Sequence, residues 1–201
     1  LAQSQFIDGK LSAGSNARNQ KNNEELTPDQ ENYSALNNVV MTRLVQHPVY
    51  LQATLPRHIA APIYARYQNG MEYGYHVDDP IMGPAGSRYR SDISITIFLN
   101  DPQDYAGGEL SIKGQMGTTD IKLPAGHAVI YPSSSLHRVN PVTAGQRLVA
   151  VTWLQSHVRD PQQRDLLFQL NDLRDHLTED PDGLSQLDLC RANLLRMWAE
   201  N

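Results

Sequence analysis

The stretch that decides the fold is "SDISITIFLND", residues 91–101, because its side chains alternate with the period of a β-strand. One face carries Ile93, Ile95, Ile97 and Leu99, and the other carries Ser94, Thr96 and Phe98. This pattern predicts a strand with one face in a core. Shorter apolar runs follow at 107–114, 119–132 and 147–156, separated by Gly, Pro and Asn. Several short strands with no helices between them predict an antiparallel sandwich or jelly roll rather than a parallel sheet.

The segments on either side of this β-rich block have a different character. Residues 8–34 are polar and predict an exposed loop or an edge, with little core. Helical spacing over 35–46 predicts a helix, with Thr27 and Pro28 as its start signal and Pro48 at its end. After Ser156, two leucine-rich amphipathic segments separated by "EDPDG" predict a C-terminal helical hairpin.

These patterns predict three regions of the chain. Residues 1–57 would be a helical and loop support, 58–157 the jelly roll and 158–201 a helical extension. The fold class is therefore mainly β with flanking helices. Leu1 rather than Met stands first, so we expect the true N-terminus to lie upstream.

Composition narrows the classes of partner. The chain has 201 residues, 40% of them hydrophobic, which is enough for one domain with a core. A net charge of −5 gives no electrostatic case for nucleic acid, and no apolar run has the length of a membrane span. The single cysteine, Cys190, indicates a reducing compartment, so we expect a cytoplasmic protein.

Two histidines and an aspartate are the candidate metal ligands. In "EYGYHVDDP", residues 72–80, His76 and Asp78 stand two apart, and on a strand such residues point to the same face. His137 opens a later predicted strand and is the third candidate. Two imidazoles and one carboxylate form the facial triad typical of non-haem Fe(II) sites that bind O₂ and a second molecule together.

Arg147 lies ten residues after His137, at the start of a predicted strand. A guanidinium in a dry pocket can pair bidentately with a carboxylate. A ligand with a keto-acid end on iron and a carboxylate at its other end would span the two sites, and 2-oxoglutarate has that shape. Taken singly, these residues are more often loop, core or ion-paired groups; the joint pattern favours a site. The other five histidines have no partner at ligand spacing.

The sequence resembles a known family at this point. The segment "YQNGMEYGYHVD", 67–78, is similar to a signature of the Fe(II)/2-oxoglutarate dioxygenases related to prolyl 4-hydroxylase. Within that superfamily, 105–112, 131–160 and the helical tail resemble the bacterial PKHD-type hydroxylases. The resemblance covers nearly the whole chain, and it implies a double-stranded β-helix core. Its bacterial members are associated with iron uptake, which is an analogy at the level of the family.

The resemblance also implies roles for individual residues. The iron ligands would be His76, Asp78 and His137, and Arg147 would bind the distal carboxylate of 2-oxoglutarate. Three further residues would line the cosubstrate pocket: Tyr67, Thr96 and Trp153. Tyr67 and Trp153 could equally be core aromatic residues. Thr96 and Ser94 are considered because Phe98 stands near the position where related animal enzymes have a tyrosine that helps to hold the distal carboxylate. Gly107, Gly108 and Glu109 would shape a turn.

The expected function is an Fe(II)- and 2-oxoglutarate-dependent dioxygenase that hydroxylates an unidentified small molecule or peptide, releasing succinate and CO₂, with L-ascorbate to rescue oxidised iron. One alternative is a cupin-like metal-binding or sensing protein without oxygenase activity. Another is an interaction module that works through its helical tail. That tail could also support a homodimer. Residues 79–91 are suited to a mobile lid, where Arg88 and Arg90 are either solvated or contacts for an acidic substrate.

Overall fold

The computed structural model describes residues 4–12, 14, 18–28, 32–177 and 180–200. The strands are β1 (Phe6–Asp8), β2 (Lys21–Asn22), β3 (Glu24–Leu26), β4 (Pro56–Ile59), β5 (Ile63–Tyr67), β6 (Glu72–His76), β7 (Ile81–Met82), β8 (Tyr89–Arg90), β9 (Ile93–Phe98), β10 (Tyr105–Gly107), β11 (Leu110–Gly114), β12 (Gly117–Ile121), β13 (Ala128–Pro132), β14 (His137–Val139), β15 (Val142–Gly145) and β16 (Arg147–Ser156). The α-helices are α1 (Tyr33–Gln46), α2 (Pro48–Thr54), α3 (Pro161–His176) and α4 (Pro181–Trp198). Single 3₁₀ turns occupy Gly9–Leu11, Arg18–Gln20 and Pro102–Asp104.

Two antiparallel sheets form the core. The larger sheet has the order β1-β3-β5-β16-β9-β13, with β4 also pairing to β16, and the smaller has the order β12-β11-β14-β6-β2. Side chains from both sheets meet in one buried cluster that includes Phe98, Val139 and Val149. The predicted mainly-β jelly-roll core is therefore confirmed.

The decisive strand, β9, is buried on both of its faces, whereas the alternation predicted one. Ile93, Ile95 and Ile97 pack outward against a cluster that includes Leu44 of α1 and Tyr50 of α2. Ser94, Thr96 and Phe98 are also buried, on the opposite face between the two sheets. The helices thus cover the apolar face, while the more polar face points into the space between the sheets, where the candidate site lies.

The N-terminal region contributes strands to both sheets. Of the two alternatives predicted for 8–34, a loop or an edge, β2 forms the edge of the smaller sheet, but the prediction of little core is wrong for the middle of this region. β2 pairs with β6 in the smaller sheet, and β3 pairs with β5 in the larger one. The buried side chains of β2, β3 and the residue between them are Lys21, Asn23, Glu25 and Leu26. Parts of the predicted loop, 13, 15–17 and 29–31, lie outside the described residues.

The first helix has a different start signal from the predicted one, whereas its end agrees with the prediction. The first helix begins at Tyr33, and the Thr27 hydroxyl instead donates to the carbonyl of Gln5. The first helix ends at Gln46, just before Pro48, as predicted. Pro48 also opens α2, because proline lacks the N–H that the first turn of a helix leaves unused. The short α2 lacks a long periodic pattern, which is why the sequence did not reveal it.

The C-terminal helical pair is present as predicted. Asp160 caps α3 by accepting hydrogen bonds from two backbone N–H groups, and Asp180 caps α4 in the same way through Gly183. The break between the helices includes 178–179, which lie outside the described residues. No helix in the described parts of the chain is long and apolar enough to cross a membrane.

Residues 79–91, predicted as a lid loop, contain a short hairpin of β7 and β8. Tyr89 is buried, and Arg90 forms salt bridges to Asp92 and Glu200, at 2.6 and 2.7 Å. Arg90 is therefore engaged within the protein rather than solvated or free to meet a substrate. These contacts tie the hairpin to the end of the C-terminal extension.

Candidate active site

The candidate ligands converge at one end of the space between the sheets. In the antiparallel pairing of β14 with β6, His137 lies directly opposite His76, so that both imidazoles project to the same side. His76 Nε2 lies 3.8 Å from Asp78 Oδ1, and His137 Nε2 lies 3.9 Å from Asp78 Oδ2. One ligand atom from each residue lies within 4.8 Å of the others, which is close enough for all three to reach one ion.

Both imidazoles are held in the tautomer that a metal requires. His76 Nδ1 lies 2.8 Å from the carbonyl oxygen of Gly74, and His137 Nδ1 lies 2.9 Å from that of Ser135. A carbonyl can only accept, so each Nδ1 carries the proton and each Nε2 lone pair faces the site. Burial, followed by the proximity of His137, lowers the pKa of His76 to about 4, so this imidazole is neutral at neutral pH.

Asp78 is positioned differently from the prediction that both His76 and Asp78 lie on one strand. β6 ends at His76, and Asp78 follows it outside any strand. Its carboxylate is instead oriented by Ser94 of β9, whose hydroxyl donates to Asp78 Oδ2 at 2.5 Å. Ser94 Oγ also lies 2.8 Å from Ser133 Oγ. The Ser94 hydroxyl is therefore engaged with Asp78 and Ser133.

Arg147 lies in the same pocket as the triad and is only 1% exposed. Its guanidinium carbon lies 5.1 Å from the ring centre of Tyr67 and 5.6 Å from that of Phe98. Burial lowers the pKa of Arg147, and the nearby groups that raise it are phenols rather than carboxylates. Among the described residues, Arg147 Nε has no hydrogen-bond partner. A buried cation without a counter-charge is costly, and an anionic ligand would supply one.

The other sequence-predicted residues also line this pocket. Tyr67 faces Arg147 across the pairing of β5 with β16, and burial raises the pKa of Tyr67 to about 12. Thr96 is buried on the inner face of β9. Trp153 has a buried indole N–H with no hydrogen-bond partner in the described part of the chain. The structure thus brings together the three candidate iron ligands and the four candidate cosubstrate-binding residues Arg147, Tyr67, Thr96 and Trp153.

Tyr131 is a pocket residue that the sequence analysis missed. It is buried on β13, where it pairs with Ser94, and its ring centre lies 5.0 Å from that of His137. Burial raises the pKa of Tyr131, while the Thr96 hydroxyl and the Arg147 charge lower it in part. The phenol therefore lies near the Arg147 guanidinium, where Phe98 offers no donor. No local motif marks Tyr131, because its position depends on strand pairing.

Three polar residues of the N-terminal segment 21–25 also line the pocket and were not predicted from the sequence: Lys21, Asn23 and Glu25. The sequence gives no alternation that would mark them, since all five residues of 21–25 are polar. The stretch was too short and polar to be recognised as a strand.

The residue at position 108, beside the Arg147 side chain, has to be a glycine for steric reasons. Gly108 has φ +69°, and a Cβ atom there would meet Val142 Cγ2 at 2.9 Å and Arg147 Cδ at 3.2 Å. Gly107 also has a positive φ, which fits the predicted role of these glycines in a turn. The five other histidines take no part in a metal-ligand cluster within the described residues.

Comparison with known proteins decides the family. Residues 62–155 match the 2OG-Fe(II) oxygenase superfamily. The chain is 51% identical to the PKHD-type hydroxylase Tgr7_2199 of Thioalkalivibrio sulfidiphilus, covering 100% of this chain and 91% of that protein. The chain belongs to the PKHD-type hydroxylases. It is 42% identical, with the same coverage, to the PKHD-type hydroxylase YbiX of Escherichia coli. This hydroxylase is thus a 2-oxoglutarate-dependent oxidoreductase, a family assignment that implies Fe²⁺ and 2-oxoglutarate.

Solved structures of similar fold include prolyl hydroxylases. A Pseudomonas putida prolyl-4-hydroxylase is 19% identical to the PKHD-type protein, with a TM-score of 0.50 and coverage of 76% of this chain and 78% of that one. A prolyl hydroxylase of Trichoplax adhaerens, in complex with a hypoxia inducible factor peptide fragment, is 19% identical with a TM-score of 0.53, covering 80% and 73%. At this identity the likeness concerns the fold alone.

Proposed function

We propose that this PKHD-type hydroxylase uses Fe(II) and 2-oxoglutarate to hydroxylate a C–H bond of a small molecule or peptide, releasing succinate and CO₂. One atom of O₂ would enter the substrate and the other would enter succinate, and oxidative decarboxylation of 2-oxoglutarate balances the electrons. The observation that carries the proposal is Arg147, a buried guanidinium without a carboxylate partner among the described residues, in the same pocket as His76, Asp78 and His137.

The triad fits ferrous iron. Two imidazole nitrogens and one carboxylate would hold the ion and leave positions open for other ligands. When bound, iron and 2-oxoglutarate would together activate O₂, which is the oxidant. The roles of the protein itself are to hold the ligand atoms of His76, Asp78 and His137, to keep the pocket dry and to orient one C–H bond. No side-chain general base is required, and we assign none.

Arg147 would hold the distal carboxylate of 2-oxoglutarate. Tyr131 and Thr96 would add hydroxyl donors near that guanidinium, where Phe98 cannot. Tyr67 would complete the cosubstrate pocket from β5, and Trp153 would wall it on the strand of Arg147. A cupin-like metal-binding or sensing protein without oxygenase activity would have the histidines but no use for this buried arginine, so we do not favour that function.

The test compares two adjacent aspartates. Wild-type protein supplied with Fe(II), 2-oxoglutarate and O₂ should form succinate in an iron-dependent manner, and Asp78→Ala should lose this activity. Asp79→Ala is the matched control, since Asp79 is exposed and outside the triad. Undiminished succinate formation by Asp78→Ala would remove the proposal, as would equal losses in the two variants.

Three further aspects belong to the same proposal. L-ascorbate would return oxidised iron to Fe(II), and its omission should shorten the time course of succinate formation. A cytoplasmic location rests on the single cysteine, Cys190. Three regions would divide the roles: 1–57 supports the core and adds Lys21, Asn23 and Glu25 to the pocket wall, 58–157 holds the candidate iron ligands and Arg147, and 158–201 is a helical extension.

The C-terminal helices would also form a homodimer contact. Their exposed apolar side chains are Leu166, Leu173, Leu189 and Met197. Light scattering should give twice the monomer mass, and Leu173→Ser combined with Leu189→Ser should lower it to one copy. A monomeric wild-type protein would contradict the contact without affecting the catalytic proposal.

A further inference from the structure

A buried ion pair lines the pocket and has no role in the function proposed above. Lys21 Nζ lies 2.5 Å from Glu25 Oε1, and the two side chains are 9% and 11% exposed. Lys21 comes from β2 of the smaller sheet, and Glu25 from β3 of the larger one. The pair therefore spans the two sheets at the side of the pocket that the N-terminal region closes.

The pair lies close to the metal ligands. Lys21 Nζ is 5.4 Å from the ring centre of Tyr73, and that ring stacks on His76 with 3.6 Å between the ring centres. The Glu25 charge is also near enough to raise the pKa values of Tyr67 and Tyr73. A molecule bound to the pair would thus lie one aromatic ring away from the triad.

Each partner of the pair retains an unused hydrogen-bonding group. The Lys21 ammonium has three protons and makes two hydrogen bonds, to Ser12 Oγ and Glu25 Oε1. Both hydrogen bonds that reach Glu25 end on Oε1, leaving Oε2 without a donor among the described residues. Next to them, the buried amide of Asn23 has an Oδ1 atom with no partner in the described part of the protein. Among the described residues, this wall of the pocket therefore has one N–H donor of Lys21 and one carboxylate oxygen of Glu25 without a partner.

A buried ion pair of this kind is expected to contribute little to the stability of the fold. Removing two charges from water costs several kcal/mol per ion, and buried pairs often contribute no more than an apolar replacement would. A pocket wall with a positive and a negative group is complementary to a ligand that carries both charges.

We propose that Lys21 and Glu25 recognise a zwitterionic substrate, a free α-amino acid, whose ammonium binds Glu25 Oε2 and whose carboxylate binds the free Lys21 proton. Asn23 adds a polar contact beside them. The pair would anchor the α-carbon end of the substrate and present to the triad a C–H bond further along the amino acid. This inference rests on the proposed function and narrows its substrate class. Within a peptide both charges are absent from internal residues, so such residues would be excluded.

The experiment uses the intact protein with Fe(II), 2-oxoglutarate and ascorbate. Succinate formation is measured alone, with each of the twenty proteinogenic L-amino acids, and with the N-acetyl amide of each, which keeps the side chain but removes both charges. At least one free amino acid should stimulate succinate formation several-fold, and its capped form should not. Mass spectrometry should show that the stimulating amino acid gains one oxygen atom.

Variants then assign the recognition to the pair. Glu25→Gln and Lys21→Met should each reduce the stimulation at least about tenfold. The first variant leaves the substrate ammonium without a counter-charge, and the second leaves the substrate carboxylate without one. Glu24→Gln is the matched control: Glu24 lies on the same strand but pairs with Arg66, at 2.7 Å. Folding is checked by circular dichroism, and Ni(II)-dependent binding of 2-oxoglutarate is checked by calorimetry.

Several results would overturn the inference. Equal stimulation by capped amino acids would do so, as would a lack of stimulation by all twenty. A rise in the 2-oxoglutarate requirement of Lys21→Met, with its stimulation unchanged, would assign the pair to the cosubstrate. In each of these cases 2-oxoglutarate still binds, and the proposed function stands. If the wild-type protein neither binds 2-oxoglutarate nor turns it over, the proposed function itself is refuted.

Discussion

Ser94 donates a hydrogen bond to Asp78, with 2.5 Å between the Ser94 hydroxyl oxygen and Asp78 Oδ2, and both side chains are buried between the sheets. Asp78 lies beyond the end of β6, so no strand pairing fixes it. Its carboxylate depends on the neighbouring strand β9 for its orientation. Hydrogen bonds of this kind to a metal ligand set its direction and its basicity.

Replacing Ser94 by alanine should therefore weaken metal binding. We expect Ser94→Ala to lower the affinity for Mn(II) or Co(II) by about 10- to 100-fold, since the carboxylate loses its orienting donor. Calorimetric titration of the metal-free protein measures this directly and does not depend on activity. Ser94→Thr keeps a hydroxyl and should retain most of the affinity.

Ser111→Ala is the control for this prediction. Ser111 is equally buried and donates to Asp120, but it lies on β11 outside the triad. Its variant should bind metal like the wild type. If Ser94→Ala and Ser111→Ala show the same affinity, the hydroxyl of Ser94 has no role in orienting Asp78.

Arg147 should be required for its geometry as well as for its charge. Arg147→Ala is expected to raise the 2-oxoglutarate concentration needed for half-maximal turnover by at least roughly thirtyfold, as loss of one partner of a buried charge pair does. Arg147→Lys keeps a cation but loses the planar fork, and we expect an intermediate value. The measurement is succinate formation over a range of 2-oxoglutarate concentrations.

Arg66→Ala serves as the matched control for Arg147. Arg66 lies on the adjacent strand and pairs with Glu24, away from the pocket. Its variant should keep the wild-type requirement for 2-oxoglutarate. An unchanged requirement in Arg147→Ala would refute the assignment of the distal carboxylate to this residue.

The fold was predictable because its main signal is local. The alternation over 91–101 identifies β9, and the helical spacing after Ser156 identifies α3 and α4. The sequence could not show which face of β9 is outermost. The isoleucine face meets helices rather than the partner sheet, and that depends on how α1 and α2 fold back onto the larger sheet.

The metal ligands of the candidate site were predictable, because only a few residue types can bind a metal ion. Few arrangements other than a metal site call for two histidines and an aspartate at this spacing, so His76, Asp78 and His137 stood out. Tyr131 and Lys21 did not, since tyrosine and lysine have many roles and these two reach the pocket through strand pairings distant in sequence. No local motif predicts which residues become paired between strands that are distant in sequence.

Gly108 should be needed to keep Arg147 in place. An alanine there would adopt an unfavourable positive φ, at a cost of about 1–2 kcal/mol in stability, and its Cβ would press on Arg147 Cδ. We expect Gly108→Ala to lower the melting temperature and to raise the 2-oxoglutarate requirement. Gly70→Ala has a similar positive φ but open space around it, so it should lower stability without changing the requirement. The same 2-oxoglutarate requirement in both variants would show that the contact with Arg147 has no functional effect.

We expect the Tyr131 hydroxyl to donate a hydrogen bond to the distal carboxylate of 2-oxoglutarate, because Phe98 has no hydroxyl to do so. Its phenol is buried near Thr96 and the Arg147 guanidinium, and a hydrogen bond to a charged group contributes about 1.5–3 kcal/mol. Tyr131→Phe should therefore raise the 2-oxoglutarate requirement by roughly tenfold or more, while metal affinity stays near the wild-type value. Tyr64→Phe is the control, because the Tyr64 hydroxyl donates to Asn37 on the helical side of the sheet. If Tyr131→Phe keeps the wild-type requirement for 2-oxoglutarate, Tyr131 does not bind the distal carboxylate. Thr96 would then be the remaining candidate for a hydroxyl donor beside Arg147.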